Sequence, residues 1–171
     1  MKHFLLITSA LLLLACNQQN SDTRTEEVKQ STIEELMFKY EDCKAHASSR
    51  NECKHFIAQS ICEYNAISDL KDENGNYVDY HSIYDMISED EKWKNIGSAS
   101  SQSVLTDAQT LANEGLPVIA INTSDKHKFS VLIIKGETQQ SRSWNLKTPN
   151  TAAFFPVSGP KSYINKPLSY S

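Results

Sequence analysis

The chain has 171 residues, a formal net charge of -4, 39% hydrophobic residues and 22% charged residues, which is typical of one ordinary globular domain. This composition excludes a fibrous or a wholly disordered chain. The 17 Lys and Arg against 21 Asp and Glu leave no excess of positive charge to neutralise a phosphate backbone, so nucleic-acid binding is not expected.

The N-terminus has the pattern of a bacterial lipoprotein signal peptide. A short polar start precedes an apolar run over 4–15, and Cys16 follows directly after Ala15. A run of about a dozen apolar residues is too short to cross a hydrocarbon core of roughly 30 Å as a helix, which argues against a transmembrane anchor. By resemblance to a lipobox, we expect residues 1–15 to be removed and Cys16 to be lipidated. The alternative is an ordinary secretory signal that leaves Cys16 as a thiol.

The segment behind the lipid anchor, residues 16–30, is expected to be a flexible tether, because Val28 is the single apolar residue over 17–30. Asn17 stands where the inner-membrane retention signal of enteric bacteria has Asp. We therefore expect a location on the periplasmic side of the cell envelope, at the outer membrane in preference to the inner. The folded domain is expected to span 31–171.

The first part of that domain is predicted to be helical. Ser31 or Thr32, followed by acidic residues, has the pattern of a helix start, and apolar residues at helical spacing follow it. Asn51 has the character of an N-cap for the second helix, and Gly115 fits the position just past the last one. Helices are expected over 33–46, 52–65, 82–87 and 105–113.

The second part is predicted to consist of β-strands, because its apolar runs are rich in β-branched and aromatic residues. Gly136 supplies a tight connection between two of them. The apolar segment 151–155 is expected to be a short helix or irregular. Strands are expected over 116–121, 129–134 and 141–146, with a short edge strand over 167–170. Helices followed by an antiparallel meander indicate an α+β domain.

Three cysteines, Cys43, Cys53 and Cys62, remain in the domain, so at least one thiol is left unpaired within the chain. An oxidising periplasm permits any of the three pairings. Cys53 is expected in the first turn of the second helix, where the helix dipole lowers a thiol pKa and favours a nucleophilic thiolate. If Cys53 is the free thiol, Cys43 pairs with Cys62, although a helical hairpin turning near residue 49 does not obviously favour that geometry.

A cysteine nucleophile needs a base, and histidine is the usual one. His127 precedes the strand expected over 129–134 and is the candidate base. Asn145 is the candidate for orienting its ring, with Asp125 as an alternative. No paired Cys-x-x-Cys accompanies the isolated histidines, so no metal site is expected.

Residues 51–58 (NECKHFIA) resemble the Cys-x-x-Phe-Val helix start of papain-like peptidoglycan amidases of the NlpC and CHAP type. The resemblance is closest to the small type VI secretion amidase effectors, and it continues in order through 93–96, 108–121 (AQTLANEGLPVIAI) and 129–136 (FSVLIIKG). It implies a papain-like fold and cleavage of an amide bond in the peptidoglycan stem peptide. Cys53 would be the nucleophile, His127 the base and Asn145 the orienting residue, with no cofactor.

The chain departs from that family at the histidine. Aligned on the strand and Gly136, the family's histidine falls at Phe129 or Lys128 and not at His127. Either a slip of one or two residues lets His127 serve, or the catalytic pair is broken, which would cost roughly two to four powers of ten in rate.

These observations leave three functional hypotheses. The first is an active amidase, and the second is an inactive relative that binds peptidoglycan or a protein partner. The third is an inhibitor or immunity-type lipoprotein that guards against such an amidase. In each case we expect a monomer that meets the membrane through the lipid on Cys16.

Overall fold

The computed structural model describes residues 30–49, 52–123 and 129–170, and within these ranges helices precede an antiparallel sheet. The segment 1–15, predicted to be a signal peptide, and Cys16 lie outside the described residues. The helices are α1 (Ile33–His46), α2 (Phe56–Asn65), α3 (Ile83–Glu89) and α4 (Gln102–Asn113). The strands are β1 (Val118–Ile121), β2 (Ser130–Ile133), β3 (Gln139–Ser141), β4 (Leu146–Thr148), β5 (Asn150–Ala153) and β6 (Tyr163–Pro167). The predicted α+β class is confirmed.

Helix α1 begins and ends where the sequence predicts. The Thr32 hydroxyl accepts a hydrogen bond from the amide of Glu35 (3.2 Å), and the Glu35 carboxylate accepts one from the amide of Thr32 (2.9 Å). This reciprocal pair satisfies two amides that the first helical turn leaves without partners.

The main sheet has the strand order β1-β2-β5-β6 with every pair antiparallel, and β3 and β4 form a separate hairpin. All four residues of β2 are buried. Because successive side chains point to opposite sides of a sheet, both faces of β2 are covered. Leu132 packs with the apolar residues of α1 and α2, whereas Val131 and Ile133 pack on the side of α4. The sheet is therefore covered by α1 and α2 on one face and by α4 on the other.

Three predictions for the second part of the domain are wrong. Within the segment 141–146, residues 142–145 form the turn between β3 and β4, and only Ser141 and Leu146 belong to strands. Asn145 takes a left-handed conformation (φ 54°) that Asn tolerates well. The segment expected as a short helix or irregular is β5, because pairing with β2 and β6 on both sides outweighs the weak strand propensity of its Asn and Ala residues. The last strand is β6, and residues 168–170 form a 3-10 turn.

A buried carboxylate joins the start of the domain to α2. The Glu63 carboxylate accepts hydrogen bonds from Ser31 (2.8 Å), Lys39 (2.7 Å), Gln59 (2.6 Å) and Tyr77 (3.3 Å). Burial alone would raise the pKa of Glu63, but the hydrogen bonds from Lys39, Gln59 and Ser31 outweigh it and lower that pKa. The ionised form of Glu63 therefore stabilises the fold.

We expect the stability that Glu63 contributes to be present above about pH 4.5, its ordinary pKa, and to be lost as the pH falls below that value. At pH 6, Glu63→Gln should lower the free energy of unfolding by about 1 kcal/mol, because a charge-assisted hydrogen bond is replaced by a neutral one. Urea unfolding at pH 6 and pH 3 measures the difference, which should shrink at pH 3. Glu41→Gln, in an exposed ion pair with Lys44, is the control and should change little. A Glu63→Gln difference that is equal at both pH values would contradict the assignment.

Candidate functional site

Cys53 is joined to Cys43 by a disulfide, with 6.1 Å between the two Cα atoms. The predicted pairing of Cys43 with Cys62 is therefore wrong. The amide of Ser31, at the start of α1, donates to the carbonyl of Glu63, near the end of α2 (2.9 Å), so the two helices run antiparallel. Cys43, close to the end of α1, consequently lies opposite the beginning of α2 and far along that helix from Cys62.

The prediction that Cys53 lies in the first turn of a helix is also wrong. Helix α2 begins at Phe56, and Cys53 lies in a turn before it, with a left-handed backbone (φ 63°) and 2% of its surface exposed. The helix dipole argument for a low thiol pKa therefore does not apply in this conformation. A sulfur atom in a disulfide also has no thiolate with which to attack an amide.

Among the cysteines of the described residues, Cys62 is the one outside the disulfide, and it is fully buried in α2. Burial is the main cause that raises the pKa of its thiol to about 11. A neutral thiol without access to solvent is a poor nucleophile. Of the three cysteines within the described residues, none presents a thiolate in this oxidised form.

The predicted base and its orienting residue are not brought into one site by the described structure. His127 and Asp125 lie outside the described residues, as does Lys128, so the role of His127 stays a prediction. Asn145 is exposed in the β3–β4 turn. Cys53, in contrast, packs in the core formed with α1 and α2.

Phe129, which with Lys128 is one of the two positions where the resemblance expects the histidine, is linked through Tyr80 to the turn that carries Cys53. Its ring stacks on Tyr80, with 5.2 Å between ring centroids, and meets Phe155 edge to face at 5.1 Å. The amide of Tyr80 donates to the carbonyl of Lys54, the residue after Cys53 (3.1 Å). Tyr80 therefore joins the ring of Phe129 to the turn that carries Cys53. The Phe129 ring cannot accept a proton.

An open cleft of about 620 Å³ lies beside the same turn. Lys54 and Asp79 form an ion pair in its wall (2.9 Å), and His55 lines it next to them. Burial alone would raise the pKa of Asp79, but hydrogen bonds from Lys54 and from the amide of His81 lower it. Burial lowers the pKa of His55, which favours its neutral ring near neutral pH.

The cleft presents one cation, Lys54, two carboxylates, Asp72 and Asp79, and the neutral imidazole of His55 to a polar group, and none of the described residues that line it is a cysteine. Sequence reasoning missed the pair of Lys54 and Asp79 because 25 positions separate them and Lys54 occupies a position that the Cys-x-x-Phe-Val pattern leaves unspecified. The other lining residues of the cleft come from the turn and loop at 72–82: Gly75, Asn76, Tyr77, Val78 and Ser82.

Comparison with protein families, with curated proteins and with solved structures finds no match for this chain. Among the described ranges, no helix is long and apolar enough to cross a membrane. The same part of the chain places no group of three His, Cys, Asp or Glu side chains together as metal ligands.

Proposed function

We propose that this protein is a lipid-anchored protein of the bacterial envelope whose papain-like domain binds peptidoglycan without cleaving it. The observation that carries this proposal is the disulfide at Cys53. It removes the one thiol that the resemblance assigns to catalysis.

The surroundings of Phe129 support the same conclusion. The resemblance requires a histidine near this position, and the ring of Phe129 is instead packed between Tyr80 and Phe155. A domain whose cysteine is held in a disulfide has no free thiol nucleophile, so it retains a cleft but not the hydrolytic reaction that the resemblance implies.

The predicted tether suits a cell-wall ligand. A flexible segment of 14 residues, over 17–30, has a root-mean-square length of roughly 20 Å, so a domain behind a lipid on Cys16 stays within tens of Å of its membrane. Peptidoglycan stem peptides carry carboxylate and ammonium groups, which the Lys54 and Asp79 side chains in the cleft wall complement.

Pull-down of the purified lipidated protein with peptidoglycan sacculi in detergent tests the binding. We expect saturable binding, and we expect the double substitution Lys54→Ala with Asp79→Ala to weaken it about tenfold, equal to 1.4 kcal/mol. The matched control is Glu41→Ala with Lys44→Ala, which removes an ion pair of the same type on α1. Absence of binding, or equal loss in both double variants, would refute the proposed cleft.

Chromatography of released muropeptides tests the absence of cleavage. The oxidised protein should release none, and products from it would overturn the proposal.

The resemblance at residues 51–58 supports a second proposal, an active amidase that works with Cys43 and Cys53 reduced. In that case the wild type should release muropeptides after reduction with dithiothreitol, and Cys53→Ala should not. A role as an inhibitor or immunity lipoprotein stays a prediction from the lipoprotein signal.

A further inference from the structure

We propose that the Cys43–Cys53 disulfide is a redox switch for the beginning of α2. Reduction by a dithiol extends the helix by about one turn, through residues 52–55. This inference concerns the conformation of the domain and does not depend on what the domain binds.

The sequence before α2 is suited to a helix. Glu52 and Lys54 are good helix formers, no Gly or Pro occurs over 52–65, and an acidic residue is favourable in a first turn. Cys53 also continues the buried stripe of the helix, because Phe56, Ile57, Ser60 and Ile61 follow it at offsets of three, four, seven and eight. An extended helix would keep this side chain on the core side.

In the structure, however, α2 begins only at Phe56, and residues 52–55 are not helical. Cys53 has φ 63°, a left-handed conformation that is costly for a residue with a Cβ atom. The disulfide to Cys43 joins this residue to α1, and the carbonyl of Lys54 accepts from the amide of Tyr80 (3.1 Å). In an extended helix that carbonyl would accept from the amide of Ala58. The hydrogen bonds of Ser48 to the Glu52 carboxylate (2.8 and 2.7 Å) also hold this turn. The disulfide is the constraint that reduction removes, and the proposal is that the turn gives way to the helix without it.

Reduction proceeds by thiol–disulfide exchange with a dithiol reductant. Cys43 is half-buried whereas Cys53 is 2% exposed, so a reductant thiolate attacks the Cys43 sulfur. The Cys53 sulfur leaves with the electron pair of the S–S bond and is protonated. The second thiolate of the reductant then displaces the Cys43 sulfur, which also takes a proton. Two electrons and two protons pass to the protein, and the reductant leaves as a disulfide.

Nuclear magnetic resonance of the full mature chain with and without dithiothreitol tests the switch. The Cα chemical shifts of residues 52–55 should move to helical values on reduction, while those of α4 stay unchanged. The experiment uses Cys62→Ala, so that the buried third thiol cannot exchange with the pair. Unchanged shifts at 52–55, or unfolding of the whole domain on reduction, would overturn the proposal.

A pair of variants at position 53 gives a second test, in which the two conformations predict opposite orders of melting temperature. In a Cys43→Ser background, Cys53→Ala and Cys53→Gly are compared by thermal unfolding. If residues 52–55 become helical, the Ala variant should melt about 3 °C higher, because Gly is the poorer helix former. If the left-handed turn persists, the Gly variant should melt higher, because Gly adopts positive φ freely. A higher melting temperature for the Gly variant would refute the switch even if the domain still bound peptidoglycan.

Discussion

Replacing Tyr40 with Ala is expected to lower the free energy of unfolding by about 4 kcal/mol, the cost typical of deleting a buried aromatic ring. Tyr40 lies in α1 and is 1% exposed. Its ring meets Phe56 and Phe154 edge to face, with centroids 5.5 Å and 5.8 Å away. The side chain thereby links α1 to α2 and to the segment that follows β5.

The hydroxyl of Tyr40 adds a polar link to the same packing. It donates to the carbonyl of Phe155 and accepts from the hydroxyl of Ser162 (2.8 Å), which itself accepts from the amide of Phe155 (2.8 Å). Tyr40→Phe removes only this link and should cost about 1 to 3 kcal/mol, because the carbonyl of Phe155 loses a buried donor.

Urea unfolding of both Tyr40 variants checks the order of these effects. The control is Phe38→Ala. Phe38 lies on the same helix but is 76% exposed, so this change should alter the free energy of unfolding by less than about 0.5 kcal/mol. Equal losses for Tyr40→Ala and Phe38→Ala would contradict the placement of Tyr40 in the core.

Removing the disulfide with Cys43→Ser is expected to cost about 3 kcal/mol under oxidising conditions. The bond spans a sequence separation of 10, and closing a loop of that length in the unfolded chain accounts for roughly this amount. If the helix extends through 52–55, the extension recovers part of the lost free energy of unfolding. The proposed switch therefore predicts a cost below about 3 kcal/mol.

Comparison with Cys62→Ala separates the disulfide from the general effect of losing a sulfur atom. That variant should cost about 1 kcal/mol, near the value for one buried methylene, and its stability should still fall when dithiothreitol is added. Cys43→Ser should be insensitive to the reductant. A Cys43→Ser variant that dithiothreitol destabilises as much as the wild type would contradict the Cys43–Cys53 pairing.

Local signals predicted much of the helical part of the fold. The pattern at Thr32 and Glu35 places the start of α1, and the Gly at 115, with φ 88°, closes the segment after α4. Both signals act within one turn of the chain, so they do not depend on the rest of the molecule.

The strands are less predictable from local sequence than the helices, because whether a segment forms a strand depends on the strands that pair with it. The residues of β5 are small and polar or apolar without alternation, and they form a strand because β2 and β6 lie on either side. The sequence predicts a strand at the hairpin turn between β3 and β4 because Trp144 favours strands locally.

The candidate site shows the same division. The sequence by itself determined the α+β order and the odd number of cysteines over 31–171, because composition and local periodicity carry that information, and it predicts a lipoprotein leader. Only the tertiary structure decided that Cys43 pairs with Cys53 and that Lys54 meets Asp79. Both contacts depend on how α1, α2 and the loop at 72–82 lie against one another. That arrangement arises from burial of side chains distant in sequence, which no local pattern encodes.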